Sequence, residues 1–153
     1  MTPLIVKGML FGLLLLSAAV WDMRNREIPN LIPALLLLCG LIGFRPAASA
    51  AGLFLVGGPF LLAAVLIKAV LIKRDGFAIG GGDVKLMGAC GFVLGVWPGL
   101  MQAALSLSLA VLVGLVECRL QKQPLSMVRL PLAPFFCFGG VSAYWLTAFT
   151  FQI

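Results

Sequence analysis

The sequence predicts an all-α membrane protein, a polytopic bundle of about six transmembrane helices that forms a single domain over residues 1–153. The first observation is composition: 62% of the 153 residues are hydrophobic, 10% are charged, and the mean hydropathy is +1.15. Soluble domains have a much smaller apolar share. The second observation is that apolar runs recur from one end of the chain to the other. A single soluble core of this size could not bury them, so a bilayer is needed to cover them.

Six apolar segments follow one another along the chain: Leu4–Trp21, Ile28–Phe44, Ala47–Ile72, Val84–Trp97, Leu100–Val116 and Leu130–Ile153. The first segment is longer than the apolar core of a signal peptide and is expected to remain as a helix. The fourth is shorter than the roughly 20 residues that cross a bilayer. We expect Pro98-Gly99 to form a tight turn between the fourth and fifth segments.

Glycines mark one face of the fourth segment. Gly88, Gly91, Gly95 and Gly99 are spaced by three or four residues and share a face if the helix continues through them. Such a smooth face lets a neighbouring helix approach closely. The pattern therefore predicts tight helix packing at this position in the bundle.

Charged residues divide unequally between the two ends of a bundle with six crossings. One side would carry Arg24, Arg26, Lys68, Lys73, Arg74, Lys85, Arg119, Lys122 and Arg129, and the other only Lys7 and Arg45. The positive-inside rule makes the first side cytoplasmic and leaves both chain ends outside. All five acidic residues fall on that same side. The net charge of +6 thus reflects topology and attraction to anionic lipids, and it does not indicate nucleic-acid binding.

The available side chains restrict the chemistry. The sequence contains no histidine, which excludes serine–histidine and cysteine–histidine proteases and HExxH metalloenzymes. Its four cysteines form no CxxC pair and are expected to pack as small apolar side chains. We therefore expect neither a metal site nor a cofactor, and the carboxylates become the main candidates for catalysis.

Asp22 and Asp83 lie at the ends of apolar segments on the predicted cytoplasmic side. Asp22 ends the first segment, and Asp83 follows Gly80-Gly81-Gly82 before the fourth. Two neighbouring carboxylates resist joint ionisation, so one keeps a proton while the other acts as a base toward a shared water, as aspartyl peptide hydrolysis requires. Glycine would let the backbone approach a substrate and tolerates unusual dihedral angles. Taken alone, Asp83 also fits a helix N-cap, and Asp22 also fits a solvated loop.

Three stretches resemble the prepilin peptidases, which belong to the GxGD group of bacterial intramembrane aspartyl proteases. DMRNREIPN at residues 22–30 is similar to the family's first aspartate with its Ile-Pro-Asn turn. GGGDVKLM at residues 80–87 is similar to its GxGDxKL motif, and LPLAPFF at residues 130–136 to the start of its last helix. The three motifs occur in the family's order within a six-helix pattern.

The resemblance implies that Asp22 and Asp83 are the catalytic pair of a leader peptidase. It would cleave prepilins or pseudopilin precursors at the cytoplasmic face of the bacterial inner membrane, between a short basic leader and an apolar helix. The chain lacks the CxxC-containing insertion of longer members that also methylate pilins, so it is expected to act as a peptidase only. The short form is similar to peptidases of Tad-type or compact type IV pilus systems, and the sequence does not choose between them.

The matched positions around the aspartates are expected to support the site. They are Gly80, Gly81, Gly82, Lys85, Pro29, Asn30, Pro131 and Pro134. The prolines would shape turns and the starts of helices, because proline fixes its own φ and lacks an N–H. Lys85 is two residues beyond Asp83 and would point away from it, so an anchor at the lipid interface is as good an interpretation as a catalytic role.

Two other functions remain open on the sequence. A small transporter would use Asp22 and Asp83 as a proton or cation site, although such residues are expected deeper in the membrane. A noncatalytic assembly subunit of a secretion or pilus system would also fit the glycine face. The oligomeric state is not predicted.

Overall fold

A computed structural model describes residues 2–70, 80–121 and 130–151 of the chain. These residues form six helices: α1 Thr2–Asn25, α2 Leu31–Gly40, α3 Pro46–Val70, α4 Gly81–Leu94, α5 Val96–Gln121 and α6 Ala133–Phe151. The described part of the chain contains no strand. The predicted all-α membrane bundle is therefore confirmed, with one helix in each of the six apolar segments.

Within the described residues, three helical stretches are long and apolar enough to cross a membrane, namely Pro3–Asn25, Pro46–Leu66 and Val96–Leu120. Their outer surfaces carry large apolar side chains such as Leu13, Phe54 and Leu112, each more than half exposed. Water would make such a surface unfavourable, whereas lipid tails solvate it. Helix α2 is shorter than the predicted segment Ile28–Phe44: it begins at Leu31, after Asn30, and ends at Gly40.

Helix α4 is the centre of the bundle. It packs against α2, α3, α5 and α6, while α1 packs against α2 and α6 at one side. The run of residues 86–91 on α4 is entirely buried. Because the central helix begins at Gly81, the residues of its first turn lie where the ends of several helices meet.

Glycines bring α3 and α4 into close contact, as the sequence predicted for Gly88 and Gly91. A Cβ on Gly57 of α3 would lie 2.7 Å from Cα of Gly88, and a Cβ on Gly91 would lie 2.8 Å from Cβ of Val56. Real Cβ atoms do not come so close to other carbon atoms, so these backbones touch only because the side chains are absent.

The predicted turn at Pro98-Gly99 is wrong. Helix α4 ends at Leu94, and the next residue, Gly95, has a φ of 83°, in the left-handed region that glycine adopts at little cost. Helix α5 has already begun at Val96, and Pro98 lies in its first turn, where the missing N–H leaves no hydrogen bond unmade. Gly95 and Gly99 therefore do not extend the glycine face of α4 as one continuous helix.

Several predicted charged positions lie outside the described residues. They are the side chain of Lys68 and the residues Lys73, Arg74, Asp75, Lys122 and Arg129.

Candidate active site

Asp22 lies in the last turn of α1 and holds the start of α6. Its side chain is 7% exposed, and its Oδ2 accepts a hydrogen bond of 3.0 Å from the backbone N–H of Ala133, the first residue of α6. The N-terminus of a helix has unpaired N–H groups and a positive end, both of which stabilise a negative charge. The carboxyl group of Asp22 is therefore held in position by a helix that is far from it in sequence.

The first turn of α6 explains why Asp22 contacts Ala133 in particular. Pro134 has no N–H, and the N–H groups of Phe135 and Phe136 both reach the carbonyl of Leu132 at 3.1 Å. The N–H of Ala133 is the remaining donor of this turn, and Asp22 satisfies it. Pro131 lies just before the helix and Pro134 inside its first turn, where proline is well tolerated.

Asp83 lies in the first turn of α4, ahead of the apolar run that begins at Val84. Its backbone N–H donates to the carbonyl of Gly80 at 3.0 Å, which starts the helix. The pKa of the Asp83 carboxyl is raised from 3.8 to about 6, chiefly by burial and then by the negative charge of Asp22, while a backbone hydrogen bond with Gly80 opposes the shift. Asp22 is therefore close enough to Asp83 to influence its ionisation.

The connection between α1 and α2 packs directly on the glycine run before Asp83. A Cβ on Gly82 would lie 3.0 Å from Cβ of Ile28 and 3.5 Å from its backbone N. Pro29 follows at once, and its carbonyl accepts the N–H of Ile32 at 3.1 Å as α2 begins. The two aspartate-bearing segments thus touch through Gly82 and Ile28.

Lys85 makes a second contact between the α1–α2 connection and the start of α4, in addition to that of Gly82 with Ile28. Its Nζ donates to Oδ1 of Asn30 at 2.8 Å, and both residues are exposed. Asn30 makes no side-chain cap for α2, so its amide is free to accept from Lys85. This hydrogen bond joins the Ile-Pro-Asn turn to the helix of Asp83, and the sequence did not predict it.

The glycines before Asp83 have ordinary dihedral angles, and two of them have close neighbours. Among the described glycines only Gly43 and Gly95 have a positive φ. Gly82 is held against Ile28, a Cβ on Gly80 would lie 3.2 Å from Oδ2 of Asp83, and a Cβ on Gly81 would meet nothing within 4 Å. The run therefore does not use the unusual dihedral angles that glycine tolerates, and within it Gly80 and Gly82 are spatially constrained. The expected approach of a substrate to these glycines stays a prediction.

An apolar groove of about 470 Å³ opens beside this site between α2, α3 and α4. Its wall begins at Asn30, Val84 and Lys85, next to Asp83, and continues along Pro33, Ala34, Leu37, Leu53, Phe54, Gly57, Gly58, Leu61, Gly88 and Ala89. A Cβ on Gly58 would meet nothing within 4 Å. The groove is therefore open at Gly58 and closed at Gly57, where α4 approaches.

The structure brings most of the sequence-predicted site residues to one end of the bundle. Asp22, Asp83, Gly80, Gly82, Lys85, Asn30 and Pro29 lie in two touching segments, and Pro131 and Pro134 flank the residue that contacts Asp22. Gly81 lies in the same turn without a close neighbour. Among the described residues no three Cys, Asp or Glu side chains cluster as metal ligands would. The arrangement offers two interacting carboxyl groups for proton transfer.

The fold and this site define a helical membrane protein with a paired carboxylate at one end of its bundle. Comparison with protein-family models gives a match to the type IV leader peptidase family over residues 9–116. The match covers more than half of the chain and includes both Asp22 and Asp83, so the chain belongs to this family of proteases. Pro131 and Pro134 lie beyond the matched residues. A search of curated proteins and a search of solved structures each returned no match.

Proposed function

We propose that this protein is an aspartic-type endopeptidase that removes the leader peptide of prepilins or pseudopilin precursors, with Asp22 and Asp83 as its catalytic pair. The observation that carries the proposal is that the segments of Asp22 and Asp83 meet at one end of the bundle: Asp22 accepts the first N–H of α6, and the connection that follows Asp22 touches Gly82, the residue before Asp83. Membership of the type IV leader peptidase family supports the reaction class. No cofactor takes part.

The two carboxyl groups have different surroundings, and these suggest different roles. Asp22 accepts the first N–H of α6, which holds its carboxyl group in place, and we assign it the role of the base. Asp83 is partly buried and near Asp22, and its pKa of about 6 lets it keep a proton below that pH, which suits an acid. The pair is asymmetric, as the chemistry of a single shared water requires.

The proposed reaction follows from these roles. Asp22 takes a proton from the water, whose oxygen bonds to the carbonyl carbon of the scissile peptide, while Asp83 gives its proton to the carbonyl oxygen. The tetrahedral intermediate then collapses: the C–N bond breaks, the leaving amine takes the proton from Asp22, and the new carboxyl group returns one to Asp83. Both side chains end in the state in which they began.

We place the site at the cytoplasmic face of the bacterial inner membrane, with several crossings and both chain ends on the periplasmic side. Arg24 and Lys85 lie in the segments of the site, whereas Lys7 is near the opposite end of α1. This distribution agrees with the positive-inside rule. A reporter fused at Asp75 should indicate the cytoplasm, and a periplasmic signal there would contradict the proposed orientation.

The groove between α2, α3 and α4 would receive the apolar segment that follows the scissile bond. It begins beside Val84, the neighbour of Asp83, and its walls are almost entirely apolar. A substrate helix lying there would have its polar leader end near the two carboxylates. The four cysteines are too far apart in sequence to form a CxxC site, so the proposed activity is hydrolysis without N-methylation.

Co-expression with prepilins encoded beside pilus genes of the same genome tests the proposal. The wild type should convert a prepilin to a faster-migrating form with a new N-terminus, while Asp22→Asn and Asp83→Asn should accumulate in the membrane without cleaving it. Glu27→Gln is the matched control, because Glu27 is an exposed acid in the segment that follows Asp22. Cleavage by either aspartate variant at the wild-type rate would contradict the assignment of the pair.

If the wild type cleaved none of several prepilins while it was well expressed, the noncatalytic and transport functions would be favoured instead.

A further inference from the structure

Gln102 is an amide buried in the apolar interior of the bundle. It lies on α5 with no exposed surface, and its Nε2 donates to the backbone carbonyl of Phe136 on α6 at 3.3 Å. The same nitrogen reaches the sulfur of Met87 on α4 at 3.9 Å. Both partners are acceptors, which fixes the orientation of the amide. One side chain of α5 therefore joins α4 to α6.

The two partners of Gln102 lie one helical turn from the two carboxylates. Met87 is four residues after Asp83 on α4, so the two share a face of that helix. Phe136 is three residues after Ala133, whose N–H holds Asp22. The bond network runs from Asp22 through the first turn of α6 to Gln102, and from there through one turn of α4 to Asp83.

The buried amide of Gln102 affects the stability of the folded protein in two ways. Its Oε1 has no hydrogen-bond partner among the described residues, and leaving a buried polar group unsatisfied is unfavourable. Gly140 of α6 makes room for the side chain, since a Cβ there would lie 3.0 Å from Nε2. The hydrogen bond from Nε2 to α6 stabilises the helix contact, whereas the unpaired Oε1 opposes it, so the two effects on stability have opposite signs. What distinguishes this amide is that its partners lie one turn from both carboxyl groups.

We propose that Gln102 is a positioning residue that sets the distance between Asp22 and Asp83 by tying α4 to α6. This inference rests on the proposed peptidase function. Gln102 does not contact substrate or the reacting water. It acts through α4, which carries Asp83, and α6, whose first turn contacts Asp22. Without the amide, the distance between these two helices is less well fixed, while both carboxyl groups remain.

The test compares Gln102→Met with Ser106→Ala in detergent, with a purified prepilin that the wild type cleaves. Methionine matches the length of glutamine but has no donor. Ser106 is also fully buried on α5 and its Oγ has no partner among the described residues, so Ser106→Ala changes the same interior without breaking a bridge. Gln102→Met should lower kcat about 10- to 100-fold with KM within about twofold, because displacements near 1 Å have effects of that size. Ser106→Ala should leave both unchanged.

The pH profile separates positioning from simple destabilisation. Asp22 is the charged side chain that helps to raise the pKa of Asp83. Helix α2 and the described side chains of α3 and α6 include no charged residue. The charged residues of α5 are Glu117 and Arg119, near its C-terminal end. If α4 moves away from α6, Asp22 influences Asp83 less. The alkaline limb of the activity profile should then move to lower pH in Gln102→Met and stay in place in Ser106→Ala.

An infrared titration of the protonated Asp83 carboxyl, taken as wild type minus Asp83→Asn, gives the same information without any substrate. It keeps the test independent of whether a prepilin is cut. An unchanged titration and an unchanged kcat in Gln102→Met, relative to Ser106→Ala, would overturn the proposal.

Should Gln102→Met fail to accumulate, Gln102→Asn decides. It keeps the amide but withdraws it by about 1.5 Å, so a shifted titration supports positioning and a wild-type titration overturns it.

Discussion

The contact between Gly82 and Ile28 offers a sharp test of how the two aspartate-bearing segments are held together. Gly81 and Gly82 are consecutive residues in the first turn of α4, and both have ordinary negative φ values. A Cβ on Gly82 would lie 3.0 Å from Cβ of Ile28, whereas a Cβ on Gly81 would meet nothing within 4 Å. Gly82→Ala and Gly81→Ala therefore make the same chemical change with different steric consequences.

The expected magnitude follows from the distance. Carbon atoms in contact normally lie about 3.5–4.0 Å apart, so Gly82→Ala has to push the α1–α2 connection away by roughly 0.5–1 Å. A misplacement of about 1 Å can lower catalysis by about 100-fold. Gly82→Ala should lower kcat about 10- to 100-fold, and Gly81→Ala should stay within about threefold of the wild type. Both changes favour the helix by up to about 1 kcal/mol, so helix propensity does not explain a difference.

The assay is prepilin cleavage in detergent, with kcat measured at equal amounts of folded membrane protein. Thermal unfolding of each variant checks that Gly82→Ala is still folded at the assay temperature. Equal activity of the two alanine variants would refute the reasoning, because it would mean that the contact with Ile28 does not affect the carboxylates.

Four further predictions concern the ionisation of Asp83 (two of them), the hydrogen bond between Lys85 and Asn30, and the groove. Cleavage should fall about tenfold per pH unit above about 6, as Asp83 loses its proton, and a flat profile through that region would contradict its role as the acid. The folded state binds more protons than the unfolded state between pH 3.8 and about 6, so thermal stability should fall as the pH rises through that window, and Asp83→Asn should remove this dependence. Lys85→Met and Asn30→Leu should each lower kcat/KM about two- to fivefold, since an exposed hydrogen bond contributes roughly 0.5–1 kcal/mol; additive losses in the double variant would show that their bond is not the cause. Gly58→Trp should fill the groove and raise KM for a prepilin, while Leu62→Trp, on a lipid-exposed position of α3 outside the groove, should not; equal effects would argue against substrate binding there.

The number and class of the helices were predictable because hydropathy is a local property of the sequence. Each of the six apolar segments contains a helix, since a bilayer demands that every backbone group be paired within its own segment. The exact junction between α4 and α5 was not predictable in the same way. Pro98-Gly99 has the composition of a turn, yet proline is equally suited to the first turn of a helix, and Gly95 provided an alternative end for α4.

The sequence by itself determined the membrane class, the candidate aspartates and the motifs that resemble the peptidase family. Those features depend on residue type and spacing, which are read directly from the chain. The tertiary structure alone decided that Asp22 holds Ala133, that Lys85 bonds to Asn30, and that Gln102 joins α4 to α6. These partners are between 34 and 111 positions apart. No local pattern specifies such pairs, because a hydrogen bond between distant residues depends on how the helices pack against one another.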